Sequence, residues 1–411
     1  MAEPISTAAP TRRFLDRRSP PHIATLILLA GLAALAMNMF LPSLPGMAAY
    51  LDAPYRLIQL SVAIYLAVNA VMQLFVGAIS DKLGRRPVLL GGVFIFLLAT
   101  LGCIHATNVW VFLTFRMLQA AIVTAMVLSR AVARDMTGER EAASMIGYVT
   151  MGMAVAPMIG PAIGGVLDAA FGWQATFWAL FIMGLGVFWL TWADLGETAP
   201  RRSTSFAAQF RDYPELFASP RFWGYTCTLG LSSGAFFTYL GGGPYVGDKV
   251  FGLEPATLGF FFGAPAVGYF LGNFIAGRFS VRVGINRMVL WGTLINAGGI
   301  GLNLAIFQLG GGTVYSFFGL MTLMGLGNGM AIPNATSGAL SVRPHLAGTA
   351  SGLSGALMIG LGAALSAGVG ALLSDGSGTL PMLWLMFLTS LCAVVAILLT
   401  IRRERRLAPG E

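Results

Sequence analysis

Charged residues are scarce in this sequence. Asp, Glu, Lys and Arg make up 10% of its 411 residues, whereas hydrophobic residues make up 56%. A soluble globular domain is about one quarter charged, so this balance excludes that class of protein. The chain is therefore predicted to be an integral membrane protein.

Residues that build disulfides, metal sites and active sites are also few. The three cysteines and three histidines lie far apart along the chain. Their spacing excludes a disulfide framework and predicts no metal site. The sequence has no HExxH motif, nucleophile elbow or nucleotide-binding loop, which argues against an enzyme. No cofactor is expected.

Long apolar runs fill the chain instead. A helix needs about 20 mostly apolar residues to cross a bilayer, and twelve runs are long enough. The 53 glycines suit close packing between such helices. The predicted spans are residues 22–46, 57–80, 87–105, 109–132, 142–167, 173–194, 221–247, 256–277, 286–308, 312–334, 346–373 and 379–401.

Basic residues are distributed unevenly between the predicted loops. The net charge of +8 does not indicate a nucleic-acid partner, because the positive charges follow the alternation of the loops. On one side of the bundle the loops hold only Arg56 and Lys249 as basic residues. Loops on the side of both termini hold Lys82, Arg85, Arg86, Arg134, Arg140, Arg201, Arg202, Arg211, Arg278, Arg282, Arg287 and Arg343. The positive-inside rule then predicts that both termini are cytoplasmic.

The two halves of the chain repeat each other. Residues 198–220 form the longest polar stretch and are predicted to link two six-helix halves. The predicted units are an N-terminal tail (1–21), a first half (22–197), the linker (198–220), a second half (221–401) and a C-terminal tail (402–411). Gly77, Ser80 and Gly84 recur 200 positions later as Gly277, Ser280 and Gly284. We expect an all-α integral membrane fold of twelve transmembrane helices in two pseudo-symmetric halves, the design of an alternating-access carrier.

A basic turn between spans two and three is the clearest motif. Residues 77–92 read GAISDKLGRRPVLLGG and place Asp81, Arg85 and Arg86 at one membrane face. Gly84 is free to adopt a positive φ in the turn. Charge alone is equally typical of an ordinary cytoplasmic loop, and that interpretation stays open here.

This turn, together with motifs in spans one, four, five and seven, resembles the major facilitator superfamily. Within it, the chain is similar to drug/proton antiporters of the bicyclomycin-resistance (Bcr/CflA) type over essentially its whole length. The motifs that carry the resemblance are Leu41-Pro42 and Leu44-Pro45 in span one, Arg116 to Gln119 in span four, Arg134-Asp135 after it, the glycines of span five, and Gly243-Pro244-Tyr245 in span seven.

The resemblance implies roles for these residues. It implies a cytoplasmic gate that latches the halves together, formed by Gly77, Asp81, Gly84, Arg85, Arg86, Arg134 and Asp135. It implies an antiporter motif in span five, formed by Gly147, Gly160, Pro161, Gly164 and Gly165, with Ala156 replacing one usual glycine. It also implies that Arg116 faces the central cavity and is linked to proton coupling, with a proton gradient as the energy source.

Arg116 is the strongest candidate for a functional residue on its own chemistry, because we place it well inside a predicted span. An ionisable side chain there costs about 2.5 to 3.5 kcal/mol to insert. The alternative is that the side chain snorkels to the outer interface. Relatives usually carry an acid where this chain has Asn38, and an amide cannot titrate. The candidate substrate and proton pathway comprises Asn38, Tyr65, Arg116, Gln119 and Tyr239.

The expected function is secondary-active efflux of drugs or other small molecules, by proton antiport and alternating access. A dedicated metabolite exporter or a symporter of the same fold is the alternative, and a receptor or channel is a more distant one. We expect a small amphipathic or cationic substrate, a monomer, and a location in the bacterial inner membrane.

Overall fold

The computed structural model describes residues 14–17, 21–136, 139–198, 213–343, 346–373 and 376–407. Most of the predicted linker and parts of both predicted tails lie outside these ranges, so the predicted unit boundaries remain predictions. Every regular element in the described ranges is helical.

Twelve long helical segments follow one another in the described part of the chain. They are α1 Ile23–Tyr50, α2 Tyr55–Leu83, α3 Arg85–Ile104, α4 Val109–Asp135, α5 Glu139–Phe171, α6 Gln174–Asp194, α7 Pro220–Tyr245, α8 Pro255–Val283, α9 Ile285–Gln308, α10 Val314–Ser341, α11 Ala347–Leu372 and α12 Leu380–Leu407. A short helix, Tyr213–Phe217, precedes α7. Each of the twelve predicted spans overlaps one of these helices, several of which extend beyond the predicted ends, and the fold class is confirmed.

Nine helices in the described part of the chain are long and apolar enough to cross a membrane by length and composition. The other three, α5, α7 and α10, are equally long and pack in the same bundle. In α7, glycine, serine and threonine lower the hydropathy, and nearly all of these residues are buried against neighbouring helices. A helix enclosed by other helices does not need a fully apolar surface.

The bundle has two distinct ends. Helix α1 begins and α12 ends at one of them, here called the termini end, and the turn between α1 and α2 lies at the opposite end. Pro42 and Pro45 kink α1 near the opposite end without ending it, because a 3-10 turn at Leu41–Ser43 connects its two segments.

The hydrophobic core joins the two halves at the opposite end. One cluster there combines Leu44 and Ile58 of the first half with Tyr239, Leu258 and Val369 of the second. At the termini end, the buried members of one cluster all belong to the first half, and those of another come from the second half and from Leu216 just before it, with Leu74 of α2 packed against its edge. The halves therefore share a core at one end and have largely separate cores at the other.

Polar and aromatic contacts reinforce this closure. Tyr55 of α2 donates a hydrogen bond of 3.3 Å to the carbonyl oxygen of Gly241 in α7, and its ring lies 5.2 Å from that of Tyr245. One turn further along α2, the Gln59 amide donates to both the carbonyl and the hydroxyl oxygen of Ser366 in α11. The path between the halves is closed at the opposite end.

Candidate functional site

Arg116 is completely buried in α4, about two turns from the start of the helix. Its guanidinium lies between two aromatic rings, 4.1 Å from the ring centre of Phe40 and 4.2 Å from that of Tyr65. One terminal nitrogen donates to the carbonyl oxygen of Ala36 at 2.9 Å, and the other donates to Gln119. Cation–π contacts and hydrogen bonds thus take the place of water around the charge. The snorkelling alternative is wrong, because the side chain is held inside the bundle.

Gln119 extends this cluster to α3. Its amide nitrogen donates to the Thr100 hydroxyl at 2.8 Å, and that hydroxyl donates to the carbonyl oxygen of Phe96 at 2.6 Å. A 3-10 turn at Ala120–Ile122 follows Gln119 directly, so α4 changes its winding beside the cluster. The structure brings Arg116, Gln119 and Tyr65 together within the first half.

Asn38 ends the first segment of α1, two residues after Ala36. It is buried, and its amide nitrogen donates back to the carbonyl oxygen of Ala34 at 2.7 Å. Its side-chain oxygen is buried without a hydrogen-bond partner among the described residues. An unpaired buried acceptor is costly, and such atoms concentrate at functional sites.

Tyr239 lies apart from this cluster, in α7 of the second half. Its ring stacks on Phe262 at 4.4 Å and meets Phe318 edge-on at 6.3 Å. Its buried hydroxyl has no hydrogen-bond partner in the described part of the chain. Tyr239 belongs to the core that closes the opposite end, so the structure does not group it with Arg116.

The predicted gate residues form an ion cluster at the termini end. The Arg85 side chain is 4% exposed and pairs with Asp81 at 2.5 Å and with Asp135 at 3.1 Å. It also donates to the Ser80 hydroxyl. Two carboxylates from α2 and α4 therefore neutralise one buried guanidinium of α3, and this cluster joins three helices of the same half. Arg134 is exposed and lies beside the cluster.

A further carboxylate, Glu197, was not predicted for the gate. It follows α6 and accepts hydrogen bonds from the backbone nitrogens of Arg85, at 2.8 Å, and Arg86, at 3.3 Å. These amides begin α3, where a carboxylate is favoured by the helix dipole and the free N–H groups. Arg86 donates from its side chain to the carbonyl oxygen of Trp192 at 3.1 Å. The sequence gives no local sign of this contact, because more than 100 residues separate its partners.

The glycines of α5 provide close helix contacts, as the span-five motif predicts. A Cβ at Gly164 would overlap the carbonyl oxygen of Met39 in α1, and one at Gly165 would overlap that of Pro255 in α8. Gly160 faces Asn38. On the other side, a Cβ at Gly259 of α8 would overlap the carbonyl oxygen of Pro161. Helix α5 therefore packs through bare backbone against both halves. Gly147 lies in α5, outside the residues whose surroundings the structure describes.

A neutral polar cluster in the second half was missed by sequence reasoning. The Ser232 hydroxyl donates to the Asn328 side-chain oxygen at 2.7 Å, and the Asn296 amide donates to the same oxygen at 2.9 Å. These residues come from α7, α10 and α9. Asn296 and Asn328 are both amides in apolar predicted spans, but their pairing with Ser232 depends on tertiary contacts.

Arg130 was missed as well. It lies near the end of predicted span four, but α4 continues to Asp135 and carries it inside the bundle. Its side chain is exposed and donates to the Met153 sulfur of α5 at 3.3 Å. Tyr269 of α8 lies close enough to interact with it electrostatically. Arg130 therefore lies where the two halves face each other.

The comparisons with known proteins agree with this architecture. The family model of the Major Facilitator Superfamily matches residues 26–358 and 242–411. The chain belongs to the major facilitator superfamily. It is therefore a multi-pass membrane protein of a transporter family, and its resemblance to bicyclomycin-resistance-type antiporters is confirmed by its relatives.

Multidrug resistance protein D of Escherichia coli is 31% identical over 345 residues, covering 83% of this chain and 86% of that protein. The bicyclomycin resistance protein homolog of Haemophilus influenzae is 28% identical over 344 residues, covering 82% and 85%. Among solved structures, a bacterial homolog of the human lysosomal transporter Spinster, inward-facing and occupied, matches with a TM-score of 0.70 at 16% identity, covering 93% of this chain and 96% of that one. This last likeness concerns the fold.

Proposed function

We propose that this protein exports small amphipathic compounds, antibiotics among them, as a secondary-active transporter of the inner membrane. The observation that carries the proposal is the arrangement of the cores, shared at the opposite end and largely separate at the termini end. Two halves joined in this way rock against each other around a central path. The names of the multidrug and bicyclomycin resistance relatives support drugs as substrates.

The orientation of the protein in the membrane is inferred from the distribution of its basic residues. Arg85, Arg86, Arg282 and Arg343 lie at the termini end, whereas Arg56 and Lys249 lie at the opposite end. The positive-inside rule supports a cytoplasmic termini end. In that orientation the described conformation is closed toward the outside, ready to accept substrate from the cytoplasm.

Inward proton movement drives the export in this proposal. Arg116 is a fully buried charged group in the first half, and in this proposal a proton carrier acts near it or reaches it through Asn38 and Tyr65. Every described carboxylate lies at or near an end of the bundle, as Asp52, Asp168 and Asp248 do at the opposite end. A carboxylate at a helix end, Asp52 or another, therefore takes the carrier role. A monomer suffices for this cycle.

The alternative is a dedicated metabolite exporter or symporter. The observation that favours it is Asn38, whose amide occupies the place of a titratable acid. With proton antiport, unrelated compounds are exported and an uncoupler abolishes their export. With a dedicated carrier, resistance is absent and one metabolite moves.

The test is expression in a bacterial host that lacks its own efflux pumps, with a panel of unrelated antibiotics and with or without an uncoupler. We expect resistance to several compounds that the uncoupler removes. Resistance that survives the uncoupler contradicts proton coupling, and the absence of any phenotype contradicts drug export. Proteoliposomes with an imposed substrate gradient and a pH-sensitive dye then measure proton flux directly.

A further inference from the structure

Arg130 differs from the other two guanidinium groups inside the first half. Arg116 is fully buried and surrounded by aromatic rings and amide and carbonyl oxygens, and Arg85 is buried between two carboxylates. Arg130 is exposed although it lies within a helix of the bundle. Its described hydrogen bond goes to a thioether, which is a weak acceptor.

No carboxylate among the described residues forms an ion pair with Arg130. The ion pairs formed by described residues join Arg85, Arg221, Lys249 and Arg343 to their acids, and none of them includes Arg130. Among the described residues, Arg130 contacts Met153 of α5 and interacts electrostatically with Tyr269 of α8 in the other half. Asn273, one turn after Tyr269, donates its amide to the Tyr269 carbonyl oxygen at 2.8 Å. The side chains of Met153, Tyr269 and Asn273 are polarisable or amphipathic, and they suit contact with an organic molecule.

A charged residue inside a membrane bundle is expensive unless water or a ligand compensates it. Because Arg130 lies between the halves, a ligand that reached it would also touch the second half. A guanidinium binds a carboxylate or phosphate with two parallel hydrogen bonds and repels a cation. The positive potential around the guanidinium also attracts anions as they approach.

We infer that Arg130 is a substrate-recognition residue that binds an acidic group, so that the preferred substrates are amphipathic organic anions and not cations. This inference deepens the proposed transport function and rests on it. It departs from the expected cationic substrate, which rested on aromatic, methionine and amide groups in the predicted spans. Arg130 holds the acidic group while Met153 and Tyr269 pack against the apolar part.

The test measures dye binding to the purified full-length protein in detergent by fluorescence anisotropy. The probes are fluorescein, an anion, and tetramethylrhodamine ethyl ester, a cation with the same fused ring system. Wild type is expected to bind fluorescein more tightly, and Arg130→Gln to lose about tenfold of that affinity, as expected for one charge-assisted contact. Arg130→Lys keeps the charge but cannot form two parallel hydrogen bonds. Its affinity for fluorescein is expected to lie between those of wild type and Arg130→Gln.

Arg56→Gln is the matched control, because it removes an exposed arginine at the opposite end and should bind both dyes as wild type does. The thermal unfolding midpoint of each variant checks that it is folded, and Arg130→Lys keeps the test valid if Arg130→Gln does not fold. Equal binding of the two dyes by wild type, or unchanged fluorescein binding by a folded Arg130 variant, overturns the inference. Binding with the expected preference in a protein that exports nothing instead overturns the transport proposal and leaves the anion site in place.

Discussion

Gly84 and Gly284 have the same backbone conformation although 200 residues separate them. Their φ and ψ angles are 99° and 149° at Gly84, and 89° and 146° at Gly284. Each backbone nitrogen donates to the carbonyl oxygen of a serine four residues earlier, Ser80 or Ser280, at 2.9 Å. The two turns are therefore copies of one another in geometry as well as in sequence. They differ in what surrounds them, since Glu197 lies against Gly84.

The first prediction compares alanine at these two glycines. A side chain at such φ and ψ values costs about 1 to 3 kcal/mol, and both Gly84→Ala and Gly284→Ala should lower the unfolding midpoint. Only at Gly84 would the new Cβ also overlap the Glu197 carboxylate, which caps α3. Gly84→Ala should therefore destabilise the protein more and reduce export more. Equal midpoints for the two purified variants would contradict the role given to Glu197.

The second prediction concerns the ion cluster around Arg85. Asp81→Asn should leave membrane insertion intact and reduce export, because Arg85 then keeps only Asp135 of its two acids. Removing both acids leaves a buried guanidinium without a counter-charge, which costs about 3 to 5 kcal/mol. The double variant Asp81→Asn/Asp135→Asn should therefore lose much more stability than Asp81→Asn or Asp135→Asn alone. Lys82→Gln, an exposed neutralisation in the same turn, is the control. Normal export by Asp81→Asn would rule out the latch.

The third prediction concerns the cluster around Arg116. Arg116→Ala should remove proton-coupled transport, because the cation–π contacts and the bond to Ala36 of α1 disappear together. Arg116→Lys keeps the charge but not the two-sided contact, and should retain only part of the activity. Substrate and proton flux in proteoliposomes measure both. Wild-type flux in folded Arg116→Ala would refute the coupling role.

The sequence predicts the helices well and the long-range contacts poorly, and both results have physical reasons. A bilayer demands a long apolar segment, so composition alone reveals each span. The turn at Gly84 is local and is visible in the sequence. Asp135 and Glu197 reach Arg85 from positions 50 and 112 residues away, and only tertiary packing makes those contacts. Arg130 was missed because it lies two residues before the end of a predicted span, where a positive charge is typical of a loop. Helix α4 runs further and carries it between the halves.

The fourth prediction restores the acid that this chain lacks. Asn38→Asp places a titratable group beside the Arg116 cluster, where the Asn38 side-chain oxygen has no described hydrogen-bond partner. We expect the variant to bind a proton there and to make transport more strongly dependent on pH. Asn38→Ser is the uncharged control. Identical pH profiles of flux for wild type and Asn38→Asp in proteoliposomes would contradict a proton-carrying role for this position.

The last prediction concerns the closure of the opposite end. At Gly165 of α5 and Gly259 of α8, the two halves meet through bare backbone, and a Cβ at either position would overlap a carbonyl oxygen of the other half. A backbone atom cannot move aside as the end of a flexible side chain can, so Gly165→Ala and Gly259→Ala should each push the halves apart there. Gly46→Ala is the control, since a Cβ at Gly46 meets nothing within 4 Å. Spin labels on Arg56→Cys and Lys249→Cys, both exposed at this end, report the separation by pulsed electron paramagnetic resonance once the exposed Cys227 and Cys392 are replaced by serine. We expect longer distances and reduced export in the Gly165 and Gly259 variants, and unchanged distances in both would mean that this contact does not hold the opposite end closed.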